Sequence, residues 1–327
     1  MGMMRRPTWL VLFIGALLGV LSGEVASQRY PSKPVKMIVP FPPGGINDVV
    51  ARIVAERLAQ ALNQSVVVEN HGGAGGVIGT DLVAKAPPDG YTLLEGSAGA
   101  LAMGLKLFSN VPYDVMRDFA FISMLADAST VLVINPSTPF KSVKELVAVA
   151  KAQPRKITGG IPGLVTPPHL LTELFKLRTG ADLNLVPYKG GGPATMDLIA
   201  GHIDVMFIGA PSVVEFIKSG RLKALAVAND KRSNLLPEVP TMAESGFPGM
   251  TATPWTVLAA PAGTPAPIID QLNAEVAKMM ATAGVKEYLA KNGANPLPTT
   301  PAETRAFIRS EINKWGDVVT EAHLKLE

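Results

Sequence analysis

The chain has 327 residues, 47% of them apolar and 17% charged, with 30 basic against 27 acidic side chains for a net charge of +3. That length holds two domains of ordinary size with cores of their own, and the apolar fraction excludes a disordered chain. Aromatic residues make up only 6% and the basic residues are scattered, so the footprint of a nucleic-acid binder is missing.

The first segment reads as an export signal. Arg5 and Arg6 precede the uncharged, mostly apolar run Trp9–Leu21, and Val25-Ala26-Ser27 supply small residues for cleavage. A membrane span needs ~20 apolar residues, and this run ends well short of that before Glu24. A signal peptide over residues 1–27 is therefore expected, with the rest of the chain exported to a periplasm. No cysteine is present to carry a lipid anchor, a disulfide or a thiolate.

Beyond the signal, short β-rich runs alternate with helical patterns, which favours an α/β fold with a parallel sheet. Strands are expected at Val35–Pro40, Ser65–Glu69, Tyr91–Leu94, Ala120–Leu125, Thr130–Asn135, Lys156–Gly159, Leu183–Pro187, Asp204–Ile208, Ala224–Ala228 and Thr256–Ala260. The first expected helix, Asp48–Leu62, carries apolar residues at 50, 53, 54, 58, 61 and 62 on one face. Others are expected at Val143–Ala152, His169–Leu177, Ala194–Ala200, Val213–Lys218, Ile268–Thr282 and Glu303–Val319. The strand before Pro136 and the one at Trp255–Pro261 look like two crossings between halves. One lobe would comprise residues 28–127 plus 253–327 and the other residues 128–252, with a ligand cleft at their junction.

Three glycine- or proline-rich loops each open an expected helix: Pro40–Asp48, Gly163–His169 and Pro187–Ala194. Amide groups in a helix's first turn, with the positive end of its dipole, make a ready anion site. Each loop taken alone reads better as an ordinary strand-to-helix turn. Taken together in an exported chain, they favour a site that holds a carboxylate without arginine. Within them Thr166 is a candidate N-cap, and Pro167 suits a helix's first position. Asp48 is expected to cap its helix or brace its loop rather than act as a base. His169 is as suited to a structural hydrogen bond as to a ligand contact, Asp204 has a structural reading, and Phe41 and Trp255 suit either a cleft wall or the core.

Other chemistries fit poorly. Gly73-Ala74-Gly75-Gly76-Val77-Ile78-Gly79 resembles a dinucleotide fingerprint, but its spacing is GxGxxxG and an exported chain meets little nicotinamide cofactor. Ser97 sits in Gly96-Ser97-Ala98-Gly99, which is not a nucleophile elbow. The four histidines, at 71, 169, 202 and 323, have no metal-ligand spacing. No catalytic residue, metal or cofactor is expected.

Motifs along almost the whole chain are similar to those of Bug-type extracytoplasmic solute receptors of tripartite tricarboxylate transporters. They include Val39–Gly45 with Asp48, Glu69-Asn70 with Gly73–Gly76, and Pro88–Leu94. They continue with His169-Leu170 and Glu173–Phe175, Val186–Gly190, Leu225–Val227, and Pro237–Thr241. The resemblance implies a two-domain Venus-flytrap fold of the periplasmic binding proteins, closing on a small organic acid and serving the transporter's membrane subunits. It places ligand contacts at Phe41, Pro43, Gly44, Gly45 and Asp48, at Ser97 and Ala98, and at Thr166, His169, Tyr188 and Gly191. A monomer with no cofactor and no nucleic-acid partner is expected. Where the family often has a serine- and glycine-rich stretch, this chain has Gly160–Val165, with Leu164 and Val165 in place of hydroxyls. That departure inclines the reading toward a ligand with one carboxylate and an apolar remainder. A solute sensor with a signalling partner would use the same residues, and an exported hydrolase would need His169 with Asp48 or Asp204.

Overall fold

The computed structural model describes residues 30–324 apart from Ser109 and Val165. The expected signal peptide at 1–27, Val165 and the terminal Leu326-Glu327 lie outside the described residues.

Val35–Val39 (β1) buries every side chain except Lys36, as a strand covered on both faces does. It is flanked in parallel by β2 (Val66–Asn70) and β3 (Thr92–Ser97). Three more strands, β4 (Phe119–Ala128), β10 (Trp255–Pro261) and β11 (Ala294–Pro296), complete a six-stranded sheet in the order β11-β4-β10-β3-β1-β2. These three run antiparallel to their neighbours. The second sheet has five strands in the order β7-β6-β8-β5-β9, namely β5 (Thr130–Ile134), β6 (Thr158–Ile161), β7 (Asn184–Pro187), β8 (Val205–Gly209) and β9 (Lys223–Val227). In it β6 is parallel to β7 and β8, whereas β5 is antiparallel to β8 and β9.

Both sheets are therefore mixed, not parallel as the alternating pattern suggests. The antiparallel members have a common cause. Only Ser129 separates β4 from β5, so the chain passes straight from one sheet into the other and enters the second against the direction of β8. The return at 252–255 feeds β10 into the first sheet the same way. The two crossings lie side by side: the Ala128 amide donates to the Pro254 carbonyl at 2.9 Å and the Thr130 hydroxyl to the Ala252 carbonyl at 2.8 Å.

The helices follow their end signals. α1 (Ile46–Leu62) stops at Asn63, which takes the left-handed conformation at φ 51°. α2 (Val77–Ala84), α3 (Val143–Ala152), α4 (Pro167–Thr179), α5 (Gly191–Ala200) and α6 (Val214–Lys218) follow. α7 (Ala266–Ala281) runs directly into α8 (Ala283–Lys291), and α9 (Pro301–Glu321) starts in a reciprocal Thr300–Glu303 capping box. A π-helical turn at Gly99–Met103 follows β3.

Along β5 the side chains alternate between two packed faces. Leu132 and Ile134 join a core that reaches Ile38, Leu94 and Trp255, while Val131 and Val133 join one around Leu198 and Ile208. The residues from Lys33 onward form one compact unit. The architecture is an α/β fold built on two mixed sheets, with the sheet junction open to a cavity.

Candidate functional site

A cavity of about 380 Å³ lies at the carboxyl ends of β1 and β3, bounded by the crossing segments and by the start of α4. Open α/β sheets place ligands beyond strand ends of this kind. Phe41, Asn47 and Ser97 line it from the first sheet, Ala128 and Thr256 from the crossings, and Leu164 from the loop ahead of α4.

The loop from Pro40 to Asp48 is held by one carboxylate. Asp48 accepts hydrogen bonds from the Gly44 amide at 3.0 Å, Arg52 Nε at 2.9 Å and Asn70 Nδ2 at 3.0 Å. Asn70 also donates to the Phe41 carbonyl at 3.0 Å. The Arg52 bond, with those of Gly44 and Asn70, outweighs burial and holds the Asp48 carboxyl down at about 2. Asp48 thus braces the loop. Gly44 has φ +89°, a turn open to glycine, and its amide is already committed to Asp48. Gly45 is the N-cap of α1 with no side chain capping the first turn, and a Cβ there would meet nothing within 4 Å. Pro43, Gly44, Gly45 and Asp48 lie outside the residues that line the cavity. Phe41 lies inside, followed by Ile46, Asn47 and Val50 of α1. Amides in that first turn have no acceptor within the helix.

The floor is polar at one spot. Ser97 on β3 and Thr256 on β10 are directly opposed across the antiparallel pair, and both line the cavity. Ser97 is 7% and Thr256 5% exposed, and neither hydroxyl has a hydrogen-bond partner. Two residues before Ser97, on the same face of the strand, Glu95 is fully buried and receives both of its carboxylate contacts from Asn47 Nδ2 at 3.2 Å. Burial raises the Glu95 carboxyl well above its ordinary range despite Asn47, with nearby Asp48 adding to the rise. Protons bound by the folded state then exceed those of the unfolded chain, so this group's contribution to stability is lost as pH rises from the ordinary carboxyl value through the raised one. Glu95→Gln should remove that part of the slope, read as melting temperature against pH for both proteins.

From the second sheet Thr166 and Pro167 reach the cavity, with Leu164, which is 54% exposed. Thr166 precedes α4, but its hydroxyl donates to the Gly163 carbonyl at 2.8 Å and does not cap the helix. Pro167 and Pro168 remove the first two amides, so this helix start presents fewer donors than α1. His169 is buried outside the cavity lining, and burial lowers its pKa and favours the neutral ring. Tyr188 and Gly191 also lie outside that lining. The Tyr188 hydroxyl donates to Asp197 Oδ2 at 2.7 Å, and burial together with that carboxylate raises it to about 12. The Asp204 carboxylate accepts from the Thr158 amide at 2.8 Å and ties β8 to β6, in keeping with a structural role.

Sequence reasoning missed Asn47, Phe108, Thr256 and Gly75, all of which line the cavity. Gly75 belongs to the run that mimics a dinucleotide fingerprint. It sits at φ +63°, and a Cβ there would come within 2.8 Å of the Phe108 ring. Thr256 left a faint signal as the one hydroxyl in the apolar run Trp255–Ala260.

Comparison with known proteins places the chain among receptors. The family described as "Tripartite tricarboxylate transporter family receptor" matches residues 50–324. Protein BugT of Bordetella pertussis is 46% identical over 323 residues, 98% of this chain and 99% of that one. A solved R. palustris protein with adipate is 34% identical at a TM-score of 0.76, covering 91% of this chain and 100% of its own. MatC from Rhodopseudomonas palustris with bound malate is 32% identical at a TM-score of 0.72, covering 89% and 100%.

Proposed function

The chain belongs to the tripartite tricarboxylate transporter receptor family, and from that premise we propose that it holds a small organic carboxylate in the cavity between its sheets and passes it to the membrane subunits of such a transporter. The protein is a solute receptor, not an enzyme. The observation that supports this site most is the pair of buried, unpartnered hydroxyls of Ser97 and Thr256 beside the open first turn of α1.

On this reading the lobes are residues 28–127 with 253–327 and residues 128–252, and the paired crossings at 128–130 and 252–255 are the hinge. Phe41, Ser97, Ala98 and Thr166 touch the solute. Pro43, Gly44, Gly45, His169, Tyr188 and Gly191, outside the present lining, complete the site as the lobes close, and Asp48 keeps the first loop in shape. The receptor works as a monomer in the periplasm after removal of residues 1–27.

A thermal-shift screen over mono-, di- and tricarboxylates tests this reading. A solute that binds only the folded protein stabilises it by about 2.7 kcal/mol at a hundred times its dissociation constant. At least one organic acid should therefore raise the melting temperature by several degrees. Gly45→Val should melt near the wild-type temperature, because its Cβ has room, and should lose the response by crowding the helix start. A broad panel with no stabilising acid would sink the assignment.

A further inference from the structure

The unpartnered hydroxyls of the cavity are gathered at one end, whereas that of Thr166, beside Leu164 and Pro167, is bonded to the Gly163 carbonyl. Ser97 and Thr256 face one another across β3 and β10, and the first turn of α1 lies beside them, because Asn47 of that turn is bonded to Glu95 on the same strand face as Ser97. The other walls are apolar, with Phe41, Phe108, Leu164 and Pro167 among them. Among the described residues that line the cavity there is no lysine, arginine or histidine. The one charged residue is Asp127, an acid held by Asn295 Nδ2 at 2.9 Å.

These features set what a second carboxylate would meet. One carboxylate finds hydroxyls and helix amides, which favour its charged form. A second, at the far end of the same solute, finds hydrocarbon walls, with no cation to offset its lost hydration. A site discriminates most strongly when the wrong solute must bury an unpaired charge.

The geometry points to a monocarboxylate with an apolar body as the solute, with dicarboxylates of the same length rejected. The inference rests on the cavity being the carboxylate site, as proposed above, and refines it to a ligand class. In the bound state the carboxylate accepts from Ser97 Oγ, Thr256 Oγ1 and the first-turn amides of α1, while the body lies along Phe41, Phe108 and Leu164.

Titration calorimetry with the whole exported protein, using hexanoate against adipate and benzoate against terephthalate, separates the outcomes. The expected result is that hexanoate or benzoate binds at least tenfold more tightly than its diacid. Thr256→Val and Ser97→Ala should each weaken the monoacid about tenfold with an unchanged circular-dichroism spectrum. Leu164→Arg, at an exposed position, should supply the missing cation and narrow the preference at least tenfold by strengthening the diacid. A wild-type protein that binds adipate or terephthalate as well as the monoacid overturns the ligand class and leaves the carboxylate receptor standing. If no mono- or dicarboxylate binds at all, both fail together.

Discussion

Glu311→Leu is expected to be the most destabilising single change within reach of the site. Glu311 Oε2 accepts from two buried indoles at once, Trp255 Nε1 at 3.1 Å and Trp315 Nε1 at 2.9 Å. Both tryptophans are at most 1% exposed, so leucine leaves two donors with neither partner nor water. At ~1–3 kcal/mol for each stranded buried donor, the loss is about 2–6 kcal/mol. That corresponds to roughly 3–10 °C in melting temperature for a chain of this size. Glu311→Gln keeps a carbonyl acceptor and should recover most of the difference. Because Trp255 begins β10 and borders the cavity, the leucine variant should also bind its solute more weakly than its melting point alone would explain. Denaturant unfolding followed by tryptophan fluorescence reads the first effect and calorimetry the second. Equal stability of the leucine and glutamine variants would show that the indole hydrogen bonds contribute nothing.

Asp48→Ala should come next. It removes the acceptor for Gly44, Arg52 and Asn70 together. The glycine amide turns to water, and the loop carrying Phe41 loses its anchor. A cost of about 2–4 kcal/mol follows from the lost buried hydrogen bonds and charge pair, with Arg52, half-exposed, contributing the least. The effect has a pH signature. Asp48 titrates at about 2 in the folded protein against an ordinary 3.8, so the unfolded state binds the proton first. Its stabilisation, about 2 kcal/mol at most, is complete above the ordinary value and disappears as pH falls through the folded one. The alanine variant should therefore lose less stability than wild type between pH 4 and pH 2. Parallel acid limbs in the two proteins would remove Asp48 from this role.

Much of the fold could be read from local chemistry. Val143–Ala152 forms the helix its pattern predicts, with Ser142 accepting from the Glu145 amide at 3.2 Å as an N-cap does. The ten expected strands all form, with ends displaced by a few residues. Ala294–Pro296 was invisible because three residues with a closing proline carry no strand pattern, and only the edge of β4 makes them a strand. The same limit applies to the site. Of the residues the first glycine-rich loop suggested, only Phe41 lines the cavity, because the Gly44 amide is taken up by Asp48. Thr256 was not legible, because its place in the cavity floor arises from pairing with Ser97 across strands distant in sequence. Nor was the burial of Glu95, which depends on Asn47 arriving from a different element. Pro167 suits a helix start in the sequence, but that it and Pro168 together withhold two donors from the cavity is plain only from where that helix start lies.

The strand order also dictates an order of assembly. β10 lies between β3 and β4, so until it arrives the first sheet exists as a three-stranded piece and a separate strand. All five strands of the second sheet, by contrast, fall within residues 130–227 without interruption. A polypeptide emerging from its N-terminus must leave the edges of β3 and β4 bare until the central strand has been made, and bare edges invite pairing with other chains. The middle of the chain can mature on its own, while its two ends must wait for each other.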